Sequence, residues 1–174
     1  MADNRLDNKT RQRRLAYAGM LAAFVFAGTE IHVSTAIGYV NLGDAVILIA
    51  AYLLGPFAFF PAAIGSALGD LMAGYAQYII PTFIIKGAMG AIAGAILLSK
   101  EGKQIPIARR IIAAVLAEII MAGGYFAFEA LPFMYGPAAA AGSLIPNLIQ
   151  AAAAIAIALP ITYVSGFQRI KNEF

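Results

Sequence analysis

The sequence contains no cysteine and no tryptophan, and few of its residues are charged. Only 12% of its 174 residues are Asp, Glu, Lys or Arg, whereas soluble domains carry about 25%. So few charges cannot cover the surface of a globule of this size, which excludes a water-soluble domain. The absence of cysteine excludes a disulfide framework and a thiolate metal site. The absence of tryptophan removes the strongest stacking platform for an aromatic ligand.

Hydrophobic residues make up 61% of the chain, and its mean hydropathy is +0.81. Disordered and fibrous chains have far less apolar content, so the remaining class is a membrane protein that crosses the bilayer several times. The net charge of +3 does not indicate a nucleic-acid partner, because the basic residues cluster in three short segments, as in cytoplasmic loops. The clustered residues are Arg5, Lys9, Arg11, Arg13, Arg14, Lys100, Lys103, Arg109, Arg110, Arg169 and Lys171.

Six apolar runs can be distinguished, at 15–33, 44–55, 57–76, 79–99, 107–131 and 143–166. The doubtful boundary is Gly55-Pro56, which could be a tight turn or a kink inside one long helix. The basic segments before Leu15 and at 100–110 should both face the cytoplasm, so an even number of crossings joins them. A turn at Gly55 satisfies this condition, because it gives four crossings. The sequence therefore predicts an all-α membrane protein with six transmembrane helices and both termini cytoplasmic, divided into a basic tail 1–14, a helical domain 15–166 and a C-terminal tail 167–174.

The three connections on the opposite side carry no Lys or Arg and contain aromatic and turn-forming residues. One interpretation of these aromatic residues is an interfacial belt. The second apolar run is shorter than the ~20 residues needed to cross a bilayer, and it follows the glycine-containing segment 38–43. Backbone that dips below the membrane surface is tolerated only against protein or a water-filled cavity. The pattern therefore indicates a binding pocket on the outer side.

Asp70 and Lys86 lie at similar depth in the third and fourth apolar runs. At 1.5 Å per residue, both are about 10 Å below the outer surface. An ion pair between Asp70 and Lys86 is therefore expected. Because charged groups inside a membrane are energetically costly, each of them is a candidate functional residue. Two readings stay open: a structural pair that only joins two helices, or a lysine that faces a cavity and donates to a ligand.

Further polar residues converge on the same outer half. Tyr125 and Glu129 share one helical face, Asn147 and Gln150 share another, and Thr82 lies one turn from Lys86. Structural roles are the alternative to ligand binding. An amide pair can also join neighbouring helices, Asp44 could cap a helix, and His32 could be solvated at the membrane interface. The predicted substrate-binding residues are His32, Asn41, Asp44, Tyr78, Thr82, Lys86, Tyr125, Glu129, Asn147 and Gln150. No catalytic and no metal-ligating residues are predicted.

The first helix carries two rows of small residues, one with Ala18 and Ala22 and the other with Gly19 and Ala23. Small residues at this spacing let helices approach closely in lipid. Similar rows lie on the third and fourth helices, and the row on the fourth helix is expected to serve packing within the bundle. On the first helix the rows could also contact another membrane protein.

Together these features resemble the substrate-binding (S) components of energy-coupling factor (ECF) transporters, which import vitamins. The resemblance spans the full chain and depends on an ordered series of segments. These are Ala18-Gly19-Met20-Leu21-Ala22, matching the AxxxA motif of the family, Gly38-Tyr39-Val40-Asn41-Leu42-Gly43-Asp44, Gly55-Pro56, Gly65-Ser66-Ala67-Leu68-Gly69-Asp70-Leu71 and Pro81-Thr82-Phe83-Ile84-Ile85-Lys86-Gly87. The chain is similar to the subgroup with riboflavin, hydroxymethylpyrimidine and pyridoxine S components.

The resemblance implies a vitamin-binding subunit in a bacterial cell membrane that works with a membrane T component and two cytoplasmic ATPases. It implies that Ala18 and Ala22 contact the T component, and that helices four to six with the first loop hold the vitamin. The S component would topple in the membrane to deliver its ligand. ATP would be used by the partners, and this chain, which contains no GxxxxGK[ST] loop, would bind no cofactor.

The identity of the vitamin stays open. A small polar heteroaromatic ring such as pyridoxine or hydroxymethylpyrimidine suits the predicted residues best, riboflavin is next, and the lack of tryptophan disfavours thiamine. The alternatives to an S component are a self-sufficient secondary transporter, an intramembrane enzyme and a purely structural subunit. A secondary transporter needs an ion relay across the bundle, for which Glu118 is the one acid at middle depth.

Overall fold

The computed structural model describes residues 2–34, 36, 39–99 and 103–171, with side chains from residue 8 onward. Gly38, Lys100 and the side chain of Arg5, which the sequence analysis used, lie outside the described residues. The described helices are α1 (Ala2–Glu30), α2 (Gly43–Leu54), α3 (Phe59–Met72), α4 (Ile79–Ile96), α5 (Ile107–Glu129), α6 (Pro137–Ala140), α7 (Leu144–Ile161) and α8 (Ser165–Lys171). Two short strands, β1 (His32–Ser34) and β2 (Tyr39–Asn41), form an antiparallel hairpin between α1 and α2, with His32 opposite Asn41.

Within the described residues, four segments are long and apolar enough to cross a membrane: Gly43–Met72, Ala76–Ile96, Ile107–Glu129 and Pro137–Ile161. The prediction of an all-helical, multi-pass membrane protein is therefore confirmed. The apolar part of α1 is bounded by Arg14 and Glu30, which leaves it shorter than the ~20 residues of a full span. Six crossings and the side on which each terminus lies stay predictions.

The predicted tails are helical where the structure describes them. The predicted N-terminal tail belongs to α1, which continues without a break at residue 14. The described part of the C-terminal tail belongs to α8. Phe167 and Ile170 of α8 pack against the hydrophobic core. The last helix therefore lies against the bundle and does not extend away from it.

The chain reverses direction between α2 and α3. Gly43 at the start of α2 lies against Gly28 near the end of α1. The guanidinium of Arg14, near the middle of α1, donates to the carbonyl oxygen of Leu54 at the end of α2, at 2.8 Å. Helix α2 is therefore antiparallel to α1. The turn follows in a 3-10 segment at Gly55–Ala58, where Gly55 has a φ of 60° that favours glycine.

Helix α3 runs parallel to α1 and packs against it. Gly65 lies against Ala22 and Val25, and Gly69 further along α3 lies against Thr29. Because α2 and α3 run in opposite directions along the same helix, Gly43–Met72 is a hairpin and not one long helix. This geometry agrees with the turn predicted at Gly55-Pro56.

Small residues bring α3 and α4 into close contact. Gly90 of α4 lies against Ala58 and Ala62, and Gly94 lies against the backbone of Gly55. The small-residue row on α4 therefore serves packing inside the bundle, as predicted. It also fixes the level of the α2–α3 turn against the end of α4.

Cationic side chains gather at this end of the bundle, which we call the basic end. Arg109 and Lys171 donate to the carbonyl oxygens of Leu98 and Leu97, at 2.6 and 2.9 Å. These carbonyls follow the end of α4, where a positive charge is favourable. Burial, together with the positive charges of Arg110 and Arg109, lowers the pKa of Lys171 to about 8. The opposite end, at which the hairpin β1–β2 lies, is called the pocket end below.

Gly94→Ala should destabilise the protein, because a Cβ there would collide with the backbone carbonyl of Gly55, which cannot move as a side chain would. We expect a loss of about 1–3 kcal/mol, as in other overpacked cores, measured as a lower melting temperature in detergent. Gly123→Ala is the matched control, because a Cβ on Gly123 meets no atom within 4 Å. Equal melting temperatures for the two variants would contradict the close approach of the α2–α3 turn to α4.

Candidate substrate-binding site

A cavity of about 480 Å³, counted to its open mouth, lies at the pocket end. Residues from α1, β2, α3, α4, α5 and α7 line it, together with two tyrosines before α4. Each of the described lining residues is a tyrosine or another polar residue. They are Thr29, Tyr39, Asn41, Ser66, Asp70, Tyr75, Tyr78, Thr82, Lys86, Tyr125, Glu129, Asn147 and Gln150.

The deepest polar contact is an ion pair between Lys86 of α4 and Asp44 of α2. Both side chains are almost fully buried, with 3% and 0% exposed. The other carboxylate oxygen of Asp44 accepts a hydrogen bond from Gln150 Nε2 of α7 at 2.5 Å. Gln150 Oε1 in turn accepts from the backbone N–H of Asn41 at 2.7 Å. One carboxylate therefore joins α2, α4 and α7, and the glutamine extends the connection to β2.

This arrangement corrects the predicted ion pair, because Lys86 pairs with Asp44 and not with Asp70. Asp44 also does not cap α2, whose N-cap residue is Leu42 without a side-chain cap bond. The error arose from comparing depth only on sequential helices. Asp44 lies in the first turn of α2, and α2 packs against both α4 and α7.

Asp70 instead contacts the hairpin. Its Oδ1 accepts a hydrogen bond from Tyr39 Oη of β2 at 2.6 Å, and its Oδ2 is buried without a partner. Burial raises the pKa of Tyr39, and the charge of Asp70 raises it further. Tyr39 therefore keeps its proton and remains the donor, which ties the hairpin to α3.

Glu129 at the end of α5 has donors on both oxygens. Tyr78 Oη donates to Oε1 at 3.1 Å, and Ser143 Oγ donates to Oε2. Ser143 precedes α7, and its Oγ also lies 2.9 Å from the carbonyl oxygen of Ala140, so the two acceptors share one hydroxyl proton. Glu129 therefore joins the segments before α4 and α7 to α5.

Four tyrosines form an aromatic side of the cavity. Tyr75 lies 5.2 Å from Tyr39 and 6.1 Å from Tyr78 between ring centroids, and Tyr125 lies 6.2 Å from Tyr78. The Lys86 ammonium lies 5.4 Å from the centroid of Tyr125, whose hydroxyl is 2.9 Å from Thr82 Oγ1. These rings face a cavity, which an interfacial belt would not require. They could hold a flat ring by stacking.

Most of the residues predicted for substrate binding lie around this one cavity. Asp44 lies behind its wall, where it holds Lys86 and Gln150. His32 is exposed and outside the lining, with its ring 4.8 Å from Tyr39. The predicted residues that line the cavity are Asn41, Tyr78, Thr82, Lys86, Tyr125, Glu129, Asn147 and Gln150. Their role in binding stays a prediction.

The sequence analysis did not assign Thr29, Tyr39, Ser66 or Tyr75 to the site, and it gave Asp70 only to the ion pair, although all five line the cavity. For α3 a signal was present, because Ser66 and Asp70 are four residues apart and share one helical face. That face also carries small residues, which favoured a packing interpretation. Tyr39 and Tyr75 were recognised only as aromatic residues of the outer connections.

Below the cavity, the bundle is mostly apolar. Met89, Ala93, Ala117, Met121 and Ala154 are buried between it and the basic end. The exception is Glu118 of α5, which is 4% exposed and has no hydrogen-bond partner on either carboxylate oxygen. The described residues thus provide a single buried acid at this level, and not a chain of polar groups.

The predicted partner-contact residues divide between two faces of α1. Ala18 is buried in the core of this chain and Ala22 is half-buried. Gly19 and Ala23 are exposed, and a Cβ on Gly19 would meet no atom within 4 Å. The row that another protein could reach directly is therefore Gly19 and Ala23.

The fold and the cavity define a class: a multi-pass helical membrane protein with a polar chamber inside one end of its bundle. A comparison with known protein families identifies the family within this class. The model of the family described as "ECF-type riboflavin transporter, S component" matches residues 9–165. The chain belongs to this family of S components, which are subunits of vitamin-uptake transporters.

A relative from Pyrococcus woesei, described as an uncharacterized protein, is 34% identical over 128 residues. The match covers 73% of this chain and 82% of the relative. It therefore includes most of both proteins, and it adds no ligand to the family assignment.

Lys86→Met should destabilise the protein strongly, because it leaves the Asp44 carboxylate buried without its cation. We expect a loss of about 3–5 kcal/mol, measured by thermal unfolding in detergent. The double variant Lys86→Met/Asp44→Asn should recover part of this loss, since it removes the uncompensated charge. Lys103→Met, at an exposed position, is the control. A strictly additive double variant would show that the ion pair does not stabilise the fold.

Proposed function

We propose that this S component captures a small heteroaromatic vitamin, of the pyridoxine or hydroxymethylpyrimidine type, with high affinity. The observation that carries the proposal is the composition of the cavity wall: four tyrosines with carboxylate, amide, hydroxyl and ammonium groups between them. A flat ring can stack on tyrosine, while the polar groups fix its orientation. Binding sites for small molecules are commonly more apolar than this one, so the ligand is expected to be polar around its whole edge.

Riboflavin is the second candidate, and the description of the matching family supports it. Its dimethylbenzene ring, however, would need an apolar region, and the described lining residues include no aliphatic side chain. A single-ring vitamin with hydroxyl or amino substituents fits this lining better. We therefore place the one-ring vitamins first.

In the proposed orientation the basic end faces the cytoplasm and the pocket end faces outside. The positive-inside rule favours this, because Arg14, Arg109 and Lys171 all lie at the basic end. Helices α1 to α5 and α7 would then make six crossings, with both termini inside. A bacterial cell membrane is the proposed location.

Membership in the family supports association with a T component and two ATPases. We propose that the exposed Gly19–Ala23 row on α1 contacts the T component, with Ala18 and Ala22 setting the close approach of α1 to its own bundle. Toppling in the membrane would carry the filled cavity inward, and the partners would hydrolyse ATP. This chain would bind no cofactor of its own.

A self-sufficient secondary transporter is disfavoured by the apolar packing below the cavity. Such a transporter needs coupled ion sites between repeats, whereas Glu118 is followed toward the basic end by apolar residues such as Ala114 and Ala113. The proposed dead-end chamber is suited to capture. Delivery would then require the whole subunit to move.

Purified protein should bind pyridoxine or hydroxymethylpyrimidine with a dissociation constant in the micromolar range or below, measured by titration calorimetry in detergent. Riboflavin is tested in parallel through quenching of its own fluorescence. Gln150→Ala should weaken binding of the preferred vitamin, because it opens the Asn41–Gln150–Asp44 connection. Tight binding of riboflavin alone would replace the first candidate by the second, and absence of binding to all three would refute the proposal.

Ala23→Trp should block co-purification with a co-expressed T component and leave vitamin binding unchanged, because Ala23 is exposed and does not line the cavity. Ala18→Trp, in contrast, should lower the melting temperature, since Ala18 is buried in the core. Normal assembly of the Ala23→Trp variant would exclude this row from the interface.

A further inference from the structure

Two polar groups in the cavity lack a hydrogen-bond partner within the described part of the chain. Asp70 Oδ2 and Ser66 Oγ are both buried, and neither makes a hydrogen bond. Asp70 is 4% exposed and Ser66 is 2% exposed. Buried polar groups are nearly always paired in native proteins, so each exception requires a reason.

The two groups belong to one surface of the cavity. Asp70 and Ser66 are four residues apart on α3, so they lie on the same helical face. Both line the cavity, which is enclosed on its other sides by the tyrosines, α4, α5 and α7. Both residues that carry an unpaired atom therefore belong to the wall of the cavity.

Lys86, the cation that lines the cavity, makes no hydrogen bond to Asp70 Oδ2. Lys86 is paired with Asp44, and Gln150 donates to the same carboxylate. The other carboxylate of the lining, Glu129, has donors on both oxygens from Tyr78 and Ser143. Among the carboxylates that line the cavity, Asp70 alone thus has an unused acceptor within the described residues.

We propose that Asp70 and Ser66 are ligand-binding residues, and that Asp70 Oδ2 accepts a hydrogen bond from an N–H or O–H group of the ligand. A carboxylate binds a positively charged donor more strongly than a neutral one, so a protonated ring nitrogen or an amino group is the preferred partner. Ser66 Oγ adds a second contact one turn away. Tyr39 holds the carboxylate in place through Oδ1.

This inference extends the proposed function, because it names the part of the vitamin that α3 recognises. The ring nitrogen of pyridoxine and the amino group of hydroxymethylpyrimidine both provide the required donor. A ligand that presents only acceptors along this edge would leave the carboxylate unpaired and would be rejected. Asp70 therefore determines specificity as well as affinity.

The first experiment measures ligand binding by titration calorimetry with pyridoxine, hydroxymethylpyrimidine and riboflavin as separate probes. Asp70→Asn keeps an oxygen acceptor for Tyr39 but can place an amide donor where Oδ2 was. We expect the dissociation constant of the bound vitamin to rise by about tenfold to a hundredfold, with a smaller rise for Ser66→Ala. Gly123→Ala, at an exposed site without neighbours, should bind like the wild type. Wild-type affinity in Asp70→Asn would overturn the inference and leave the proposed function intact.

The second experiment needs no ligand and measures the melting temperature of the empty protein. Asp70→Asn and Ser66→Ala should keep or raise it, because the first removes a buried charge and the second removes a buried hydroxyl that has no partner. Ser143→Ala is the matched control and should lower it, because the Ser143 hydroxyl bonds to Glu129 and to the Ala140 carbonyl. If Asp70→Asn and Ser66→Ala destabilise the empty protein as Ser143→Ala does, the two groups are structural and the inference is wrong. If no vitamin binds the wild type, the proposed function fails, and this comparison alone decides the inference.

Discussion

The site depends on one buried interaction, the ion pair between Lys86 and Asp44. A lysine inside a membrane protein is expensive unless its charge is compensated, and here a carboxylate from a different helix compensates it. Because Asp44 also accepts from Gln150, the same group holds α2, α4 and α7 together at the pocket end. The polar cavity can exist inside an apolar bundle because its strongest charges are already paired.

The pairing has a consequence for what the cavity can recognise. With Lys86 neutralised, the remaining carboxylates, Asp70 and Glu129, give the lining an excess of acceptors. Glu129 is satisfied by hydroxyl groups of the chain, whereas Asp70 is satisfied on only one oxygen. The electrostatic character of the site is therefore set by α3, even though the lysine is its most conspicuous residue in the sequence.

Much of the helical framework could be predicted from the sequence. The runs 44–55, 79–99 and 107–131 begin within one residue of α2, α4 and α5, because hydropathy is a strong signal in a chain with so few charges. The hairpin turn at Gly55 followed from charge placement, since positive-inside parity distinguishes a turn from a kink. The helical continuation through the predicted N-terminal tail was not apparent, because tail residues lack an apolar pattern.

Most residues of the site could be predicted from the sequence, but the partner of each charged residue could not. The sequence placed Lys86, Tyr125 and Gln150 in the outer half of their helices, where the cavity lies. The partner of Lys86 depends on which helices are neighbours, and α2 reaches both α4 and α7 only because it runs back along α1. Ser66 was missed for a related reason: a small residue on a small-residue face has the same sequence pattern whether it faces a helix or a cavity.

The two ends of the bundle differ in a way that bears on the proposed toppling. At the basic end, Arg14, Arg109 and Lys171 each donate to a backbone carbonyl at the end of a helix, so these cations already have partners within the bundle. Exposed basic residues such as Arg11 and Arg169 have to stay in water or among headgroups, because moving them into hydrocarbon is costly. If the free subunit reoriented in the membrane, the whole of this energetic cost would oppose the movement. A partner that covers the Gly19–Ala23 face and supplies energy from ATP would offset it, which explains physically why a capture subunit of this kind would not transport alone.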